Sequence, residues 1–355
     1  MAPIYDERDV IFARMNYDQD QTVYDHYYTA HPEKERMDKI SRRRPLLGDK
    51  LSCQYNPIVA KMAEAPFAFL EDIGELCQGE VAPEKQAGTP AQFSEILMGY
   101  AKLYGATHVG ITTLKPEQFY THKGLPNEKY NDKIDGQYKF AIVFTVEMDK
   151  ELIDTAPYST HSIATSKGYV QVSTIGMVLS YFIRSLGYEA RNNMDGNYEL
   201  PLPPVAQAAG LGEMGIHGLL VTPDCGPRVR LGVVTTNIPL EITPHKPMGI
   251  RAFCETCHRC AKGCVSHAIE NEHQGNEHGF YDNICLSMWQ RYGSDCGVCI
   301  AMCPFANHLP PELVANLPAK EGRVALAEYC AIHFAKRTFQ LERPDWVQAA
   351  YPPKK

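Results

Sequence analysis

Two stretches decide how this chain is read: "CETCHRCAKGC" at residues 254–264 and "CGVCIAMCP" at 296–304. With Cys285 between them, they place eight of the twelve cysteines within fifty residues. Cys254, Cys257, Cys260 and Cys264 follow C-x2-C-x2-C-x3-C, the bacterial iron–sulfur spacing, in which the fourth cysteine serves the other cluster of a pair. A second set is therefore required, and Cys285, Cys296, Cys299 and Cys303 (with Pro304 after it) supplies one. The expected division is one [4Fe–4S] cluster on Cys254, Cys257, Cys260 and Cys303, and another on Cys264, Cys285, Cys296 and Cys299. Structural zinc also accepts four thiolates, but eight interleaved cysteines containing one complete run favour two clusters. Val265 stands where such a run usually has Pro, which loosens the match without removing a ligand. A disulfide framework is disfavoured, because C-x-x-C pairs are too close for one and no signal peptide is evident. The scattered Cys53, Cys77, Cys225 and Cys330 read as buried apolar thiols.

Working outward, the 355 residues are 44% hydrophobic, enough for one large or two modest domains. A net charge of −7 gives no general attraction to nucleic acid, so no nucleic-acid partner is expected. No apolar run approaches the roughly 18–20 residues of a membrane span. "SRRRPLLGDK" at 41–50 lacks the apolar stretch of a twin-arginine signal, so a cytoplasmic location is expected. Residues 1–90, rich in Tyr, Pro and charge, read as an arm wrapped over the rest, with short helices. From 91 to 245 helix and strand alternate. Phe93, Ile96, Leu97, Tyr100 and Tyr104 share a helical face that stops at Gly105, and a second helix runs from about Thr160 to Leu186. "HVGITTL" and "KFAIVFTVEM" read as strands, and "GLLVTPDCGPRVRLGVVTT" as two strands joined by a Pro/Asp/Gly turn. Cysteine-rich turns fill 246–310 and a helical tail 311–355. The fold class expected is α+β.

Two clusters make a wire, and the 253 residues before Cys254 are far more than a carrier needs. They contain no G-x-G-x-x-G for a dinucleotide and no D-x-H-x-x-G to present a histidine to cobalamin. The thirteen histidines show no metal-ligand spacing. At "AAGLGEMGIHGLLVTPDCGPRVRLGVVTTNIPLE", residues 208–241, the chain resembles the cobalamin-dependent reductive dehalogenases. "DERDVIFARM" at 6–15 and "FIRSLGYEARNNMDGNYELPLPPVA" at 182–206 are similar to that family too. The resemblance implies a nitroreductase-like cobalamin-binding domain over 91–245, a ferredoxin-like domain over 246–310, and base-off cobalamin between them. It implies removal of halide from an organohalide, a halogenated aromatic being one candidate, with Co(I) fed by the clusters. The electrons would come from a low-potential donor such as a ferredoxin, a flavodoxin or a reductase.

The family's proton donor is a tyrosine inside the long helix, and Tyr169 in "SKGYVQV" matches it, with Tyr158 as runner-up. A nearby cation stabilises a phenolate and eases loss of its proton; Arg228 or Arg230 in "GPRVR" fits that role, and one sequence does not choose between them. The resemblance places Asn193 in the same pocket, and Arg291, His217 and Gly212 near the cofactor. Ile216 departs from the family, which often has Arg there, and this bears on substrate preference. Two other readings stay open. An epoxyqueuosine reductase shares the cysteine module, but places an aspartate where this chain has Tyr169 or its neighbours. A non-catalytic corrinoid or electron-transfer protein is the other.

Overall fold

The computed structural model describes residues 4–45, 47–126, 129–270, 280–334 and 343–351. At its centre lies an antiparallel sheet built from β1 (His108–Thr113), β2 (Phe140–Glu147), β3 (Ala190–Asn193) and β6 (Val229–Thr236), in the order β1-β2-β6-β3. Strand β2 explains its own nearly unbroken apolar sequence. Ile142, Phe144 and Val146 point into a core with Leu97, Ile175 and Leu179, while Ala141 and Val143 point into another with Val205 and Val233. A strand covered on both faces has no polar face to show. Each large side chain so buried contributes about 1.5–3 kcal/mol.

The first core is closed by two helices, Pro90–Leu103 and the 26-residue Thr160–Ser185. A capping box from Thr89 and Gln92 starts the former. Two glycines bring the long helix down onto the sheet. A Cβ at Gly168 would lie 2.6 Å from Arg230 Cγ, and one at Gly176 2.0 Å from Asn192 Oδ1. This close approach sets Arg230 beside the helix turn that carries Tyr169.

The mixed α+β architecture agrees with the sequence reading, and three details differ. The two strands of "GLLVTPDCGPRVRLGVVTT" fall in separate sheets: β5 (Leu220–Val221) pairs with β4 (Glu213–Met214), not with β6. Residues 1–90 are more helical than an arm with short helices, because Asn56 caps and Pro57 opens the 16-residue helix Pro57–Asp72. Cys77, Cys225 and Cys330 are buried as expected, but Cys53 is exposed. No described helix is long and apolar enough to cross a membrane.

The cysteines ride on short helices, among them Ile250–Cys257, Arg259–Gly263, Asp282–Tyr292 and Val298–Ala301. Left-handed residues turn the chain between them: His258 (φ 51°), Cys296 (φ 59°) and Gly297 (φ 66°). Phe253, Phe305, Leu317 and Leu326 form the core beneath. The N-terminal region is tied to this part by Arg14, which pairs with buried Asp38 at 3.0 Å and reaches Asp282 at 3.2 Å.

Candidate functional site

A cavity of about 630 Å³ opens between the sheet layer and the cysteine helices. Tyr169, Asp195, Tyr198 and Arg230 line one part of its wall, and Cys264, Cys285, Cys296 and Cys299 another. Phe12, Phe67 and Trp289 add aromatic surface. The Pro57–Asp72 helix supplies Phe67, whose ring centroid is 5.6 Å from that of Tyr169.

Tyr169 and Arg230 are brought together: the guanidinium carbon lies 4.8 Å from the centre of the phenol ring. Burial pushes the Tyr169 hydroxyl's pKa up, the Arg230 charge pulls it down, and Asp195 and Asp295 push it up again. Arg230 is held from behind, since its Nη2 donates to Thr165 Oγ1 at 3.0 Å and lies 3.7 Å from Asp295 Oδ2. Asp295 also accepts from Thr165 at 2.6 Å and Ser162 at 2.8 Å, and pairs with His161 Nδ1 at 2.7 Å. Burial alone would raise its pKa, but His161, Arg230 and Thr165 outweigh burial and hold its carboxyl below the usual range.

Arg228 is turned elsewhere. It is fully buried, donating from Nε to Ala306 O (3.2 Å) and from Nη1 to Met148 O (2.6 Å), with Glu147 at 2.5 Å. It stands between the turn closed by Thr222 and Gly226 and the start of β6, where its bonds to Met148 O and Ala306 O keep it off the cavity lining. Asn193 also lies off the cavity wall, its amide donating to Thr235 Oγ1 (3.3 Å) and its oxygen accepting from Glu199 N (3.0 Å). Tyr158 faces Arg343 at 5.4 Å, away from the cavity lining. Gly212 is a packing residue, since a Cβ there would sit 2.3 Å from Val221 O. Arg291 is exposed and outside the lining. His217 does line the cavity; Leu219 N donates to its Nδ1 at 3.1 Å, and burial with the nearby Arg251 charge lowers its pKa to about 4.

The cysteines fall into two neighbourhoods. Burial first raises the pKa of Cys303, and the neighbouring charges that raise it further are Cys254, Cys260 and Cys257. For Cys299, after burial, they are Cys285, Cys296, Cys260 and Cys264, and for Cys285 they are Cys296 and Cys264. Cys260 stands near both groups. Elsewhere, Glu147, Cys225 and His308 place one ligand atom each within 4.8 Å of one another. Arg228 already fills that spot with a fixed cation, its Nη2 being 2.8 Å from His308 Nε2.

Sequence reasoning missed Asp195, Tyr198 and Asp295, as well as the aromatic wall from the N-terminal region. "DG" at 195–196 reads as a turn, and Asp295 carries no signal beyond standing before Cys296.

One cavity thus brings together a cation-backed tyrosine and a group of thiols. No family model matches the chain. It is 38% identical over 178 residues to the tetrachloroethene reductive dehalogenase of Sulfurospirillum multivorans, covering 46% of this chain and 35% of that protein. With the tetrachloroethene reductive dehalogenase of Dehalobacter restrictus it shares 36% over 203 residues, 51% of this chain and 36% of that one. An epoxyqueuosine reductase of Listeria monocytogenes is 25% identical over 264 residues, 62% of this chain and 66% of that protein. Among solved structures, a catabolic reductive dehalogenase superposes with a TM-score of 0.73 at 20% identity, over 95% of this chain and 47% of that chain, a likeness of fold. The resemblance read from the sequence therefore holds: the chain has reductive dehalogenases as homologues at 36–38% identity. The matches span about a third of those curated relatives' length.

Proposed function

We propose that this protein is a reductive dehalogenase that removes halide from an organohalide, with a halogenated aromatic as the substrate class. The observation that carries this reading is the single cavity lined both by Tyr169 with Arg230 and by Cys264, Cys285, Cys296 and Cys299. In this reading Cys254, Cys257, Cys260 and Cys303 hold one [4Fe–4S] cluster and the cavity-side four hold the other. Two interleaved sets of four cysteines, one of them opening a complete C-x2-C-x2-C-x3-C run, support clusters over zinc. Residues 91–245 and 246–310 would then hold base-off cobalamin between them, with His217 of the wall near it. Bound there, cobalamin supplies the low-potential metal that reduces the carbon–halogen bond, with electrons from an external low-potential donor.

The chain's own residues do the rest. Phe67, Trp289 and the two tyrosines offer flat apolar contact to an aromatic ring. Tyr169 gives its hydroxyl proton to the carbon that loses halide, and Arg230 stabilises the phenolate left behind. Arg228, bonded to Glu147, Met148 O and Ala306 O, holds the sheet to the cysteine-rich part instead. The epoxyqueuosine reductase alternative calls for an aspartate at the helix position where this chain has Tyr169 or its neighbours.

The test is composition with spectroscopy. Anaerobically prepared protein should carry about eight irons per chain and take up cobalamin whose Co(II) paramagnetic signal lacks splitting from an axial nitrogen. One or two zinc ions with little iron would defeat the cluster assignment, and an axial imidazole splitting would defeat the base-off assignment.

A further inference from the structure

One carboxyl in the cavity is not used by this reaction. Asp195 follows β3 in the turn 194–197 and lines the same wall as Tyr169, Tyr198 and Arg230. Among the described residues it makes no hydrogen bond and no ion pair. Arg230, the cation whose charge acts on it, spends Nη2 on Thr165 and Asp295, and Nε has no partner. The groups that face Asp195 are Arg230 from β6, Tyr169 from the long helix and Tyr198 from its own loop. Farther round the cavity are Glu64 on the Pro57–Asp72 helix, Glu7 and Tyr120 near the N-terminal region, and Asp295 behind Arg230.

We infer that Asp195 is a positioning residue that gates Tyr169: ionised, it offsets the help Arg230 gives the phenol, and protonated, it releases that help. This rests on the dehalogenase reading and adds a regulating group to its site. The physical basis is a four-member cluster in a shared, poorly solvated wall. Arg230 favours the Tyr169 phenolate and an ionised Asp195 opposes it, so the two act on one proton with opposite sign. The carboxyl can switch in the working range because burial lifts its pKa to about 6 while Arg230 pulls the other way. Below that value Asp195 takes a proton from solvent and becomes neutral, and Tyr169 then feels Arg230 with less opposition. The proton transferred to substrate is still the one on Tyr169; Asp195 changes only how readily it leaves.

The experiment compares reconstituted wild type, Asp195→Asn, Tyr169→Phe and Arg230→Gln. Halide release is followed from pH 5 to 8, and pH-difference infrared spectra are recorded on 13C-aspartate-labelled protein. Wild-type turnover should fall as pH rises through about 6. Asp195→Asn should lose that inflection and turn over roughly threefold faster or more at neutral pH. In the spectra one aspartate should titrate near 6, vanish in Asp195→Asn, and move to higher pH in Arg230→Gln. An unchanged inflection in Asp195→Asn overturns the proposal. So does an Asp195→Asn protein as inactive as Tyr169→Phe, which would make Asp195 itself the donor. A wild type that releases no halide overturns the dehalogenase reading instead. The infrared arm then decides on Asp195 by itself: no titrating aspartate, or one indifferent to Arg230, removes it.

Discussion

Arg228 and Arg230 are separated by one residue, yet exchanging each for Gln should damage different properties. Arg230→Gln removes the cation over Tyr169. At an effective dielectric constant near 20, a unit charge about 6 Å from a developing phenolate is worth about 3 kcal/mol. The transition state carries only part of the proton's charge transfer, so roughly half of that should appear in the barrier. Turnover should therefore fall about 10-fold. Folding should be largely spared, because the substitution gives up only one hydrogen bond to Thr165 and a longer contact to Asp295. Arg228→Gln instead strips partners from Met148 O, Ala306 O and Glu147 in a buried place. Glu147 is 36% exposed, which reduces the cost, and a loss of about 2–3 kcal/mol is expected. The assay pairs halide release per cobalamin bound with thermal unfolding of the same preparations. Arg230→Gln should be slow and stable, Arg228→Gln unstable and, per intact holoenzyme, active. Slow turnover with unchanged melting in Arg228→Gln would refute the reasoning from placement.

Other expectations follow from single positions. Tyr169→Phe keeps the ring beside Phe67 and should lower turnover by about 100-fold or more, while Tyr158→Phe, off the cavity lining, should not; reversed results would move the donor. Cys264→Ala should bleach the paramagnetic signal of the cluster assigned to Cys285, Cys296 and Cys299, not that of its sequence neighbours, and the opposite loss would refute the crossover. Gly297→Ala puts a methyl 1.8 Å from His161 Nε2 at φ +66°, so iron content and melting temperature should both drop; an unaffected protein would contradict the packing described. His217 gives a pH signature. Its folded pKa of about 4 lies below the ordinary value near 6.5, so the unfolded chain binds the extra proton first. Stability from this group is present above pH 6.5 and lost as pH falls toward 4, by about 3 kcal/mol in all. His217→Gln should flatten that part of a denaturation-versus-pH curve.

The sequence carried some of this site and could not carry the rest. Thiolate spacing is a local property, so a grouping could be read from it; in the fold Cys303 has Cys254, Cys260 and Cys257 as neighbours, and Cys299 has Cys285, Cys296 and Cys264 together with Cys260. Strand β2 and the long helix were legible because burial on two faces and helical periodicity leave direct marks on residue type. Choosing between Arg228 and Arg230 was out of reach, since it turns on where the turn 222–226 ends and β6 begins. Asp195 was invisible for a related reason. An aspartate before glycine signals a turn whether its carboxyl points to solvent or into a cavity, and only packing of the long helix against β6 and β3 settles which. Asn193, a plausible pocket residue two positions earlier, is taken up by strand-to-loop hydrogen bonds.

The central claim is that one cavity joins a cluster-fed corrinoid to a tyrosine acid. Its most direct test is halide release from a halogenated phenol by anaerobic protein under a low-potential chemical reductant, with and without cobalamin. Release should require cobalamin and fall by about 100-fold or more in Tyr169→Phe of equal iron and cobalamin content. Equal release without cobalamin, or full release from Tyr169→Phe, would contradict the account.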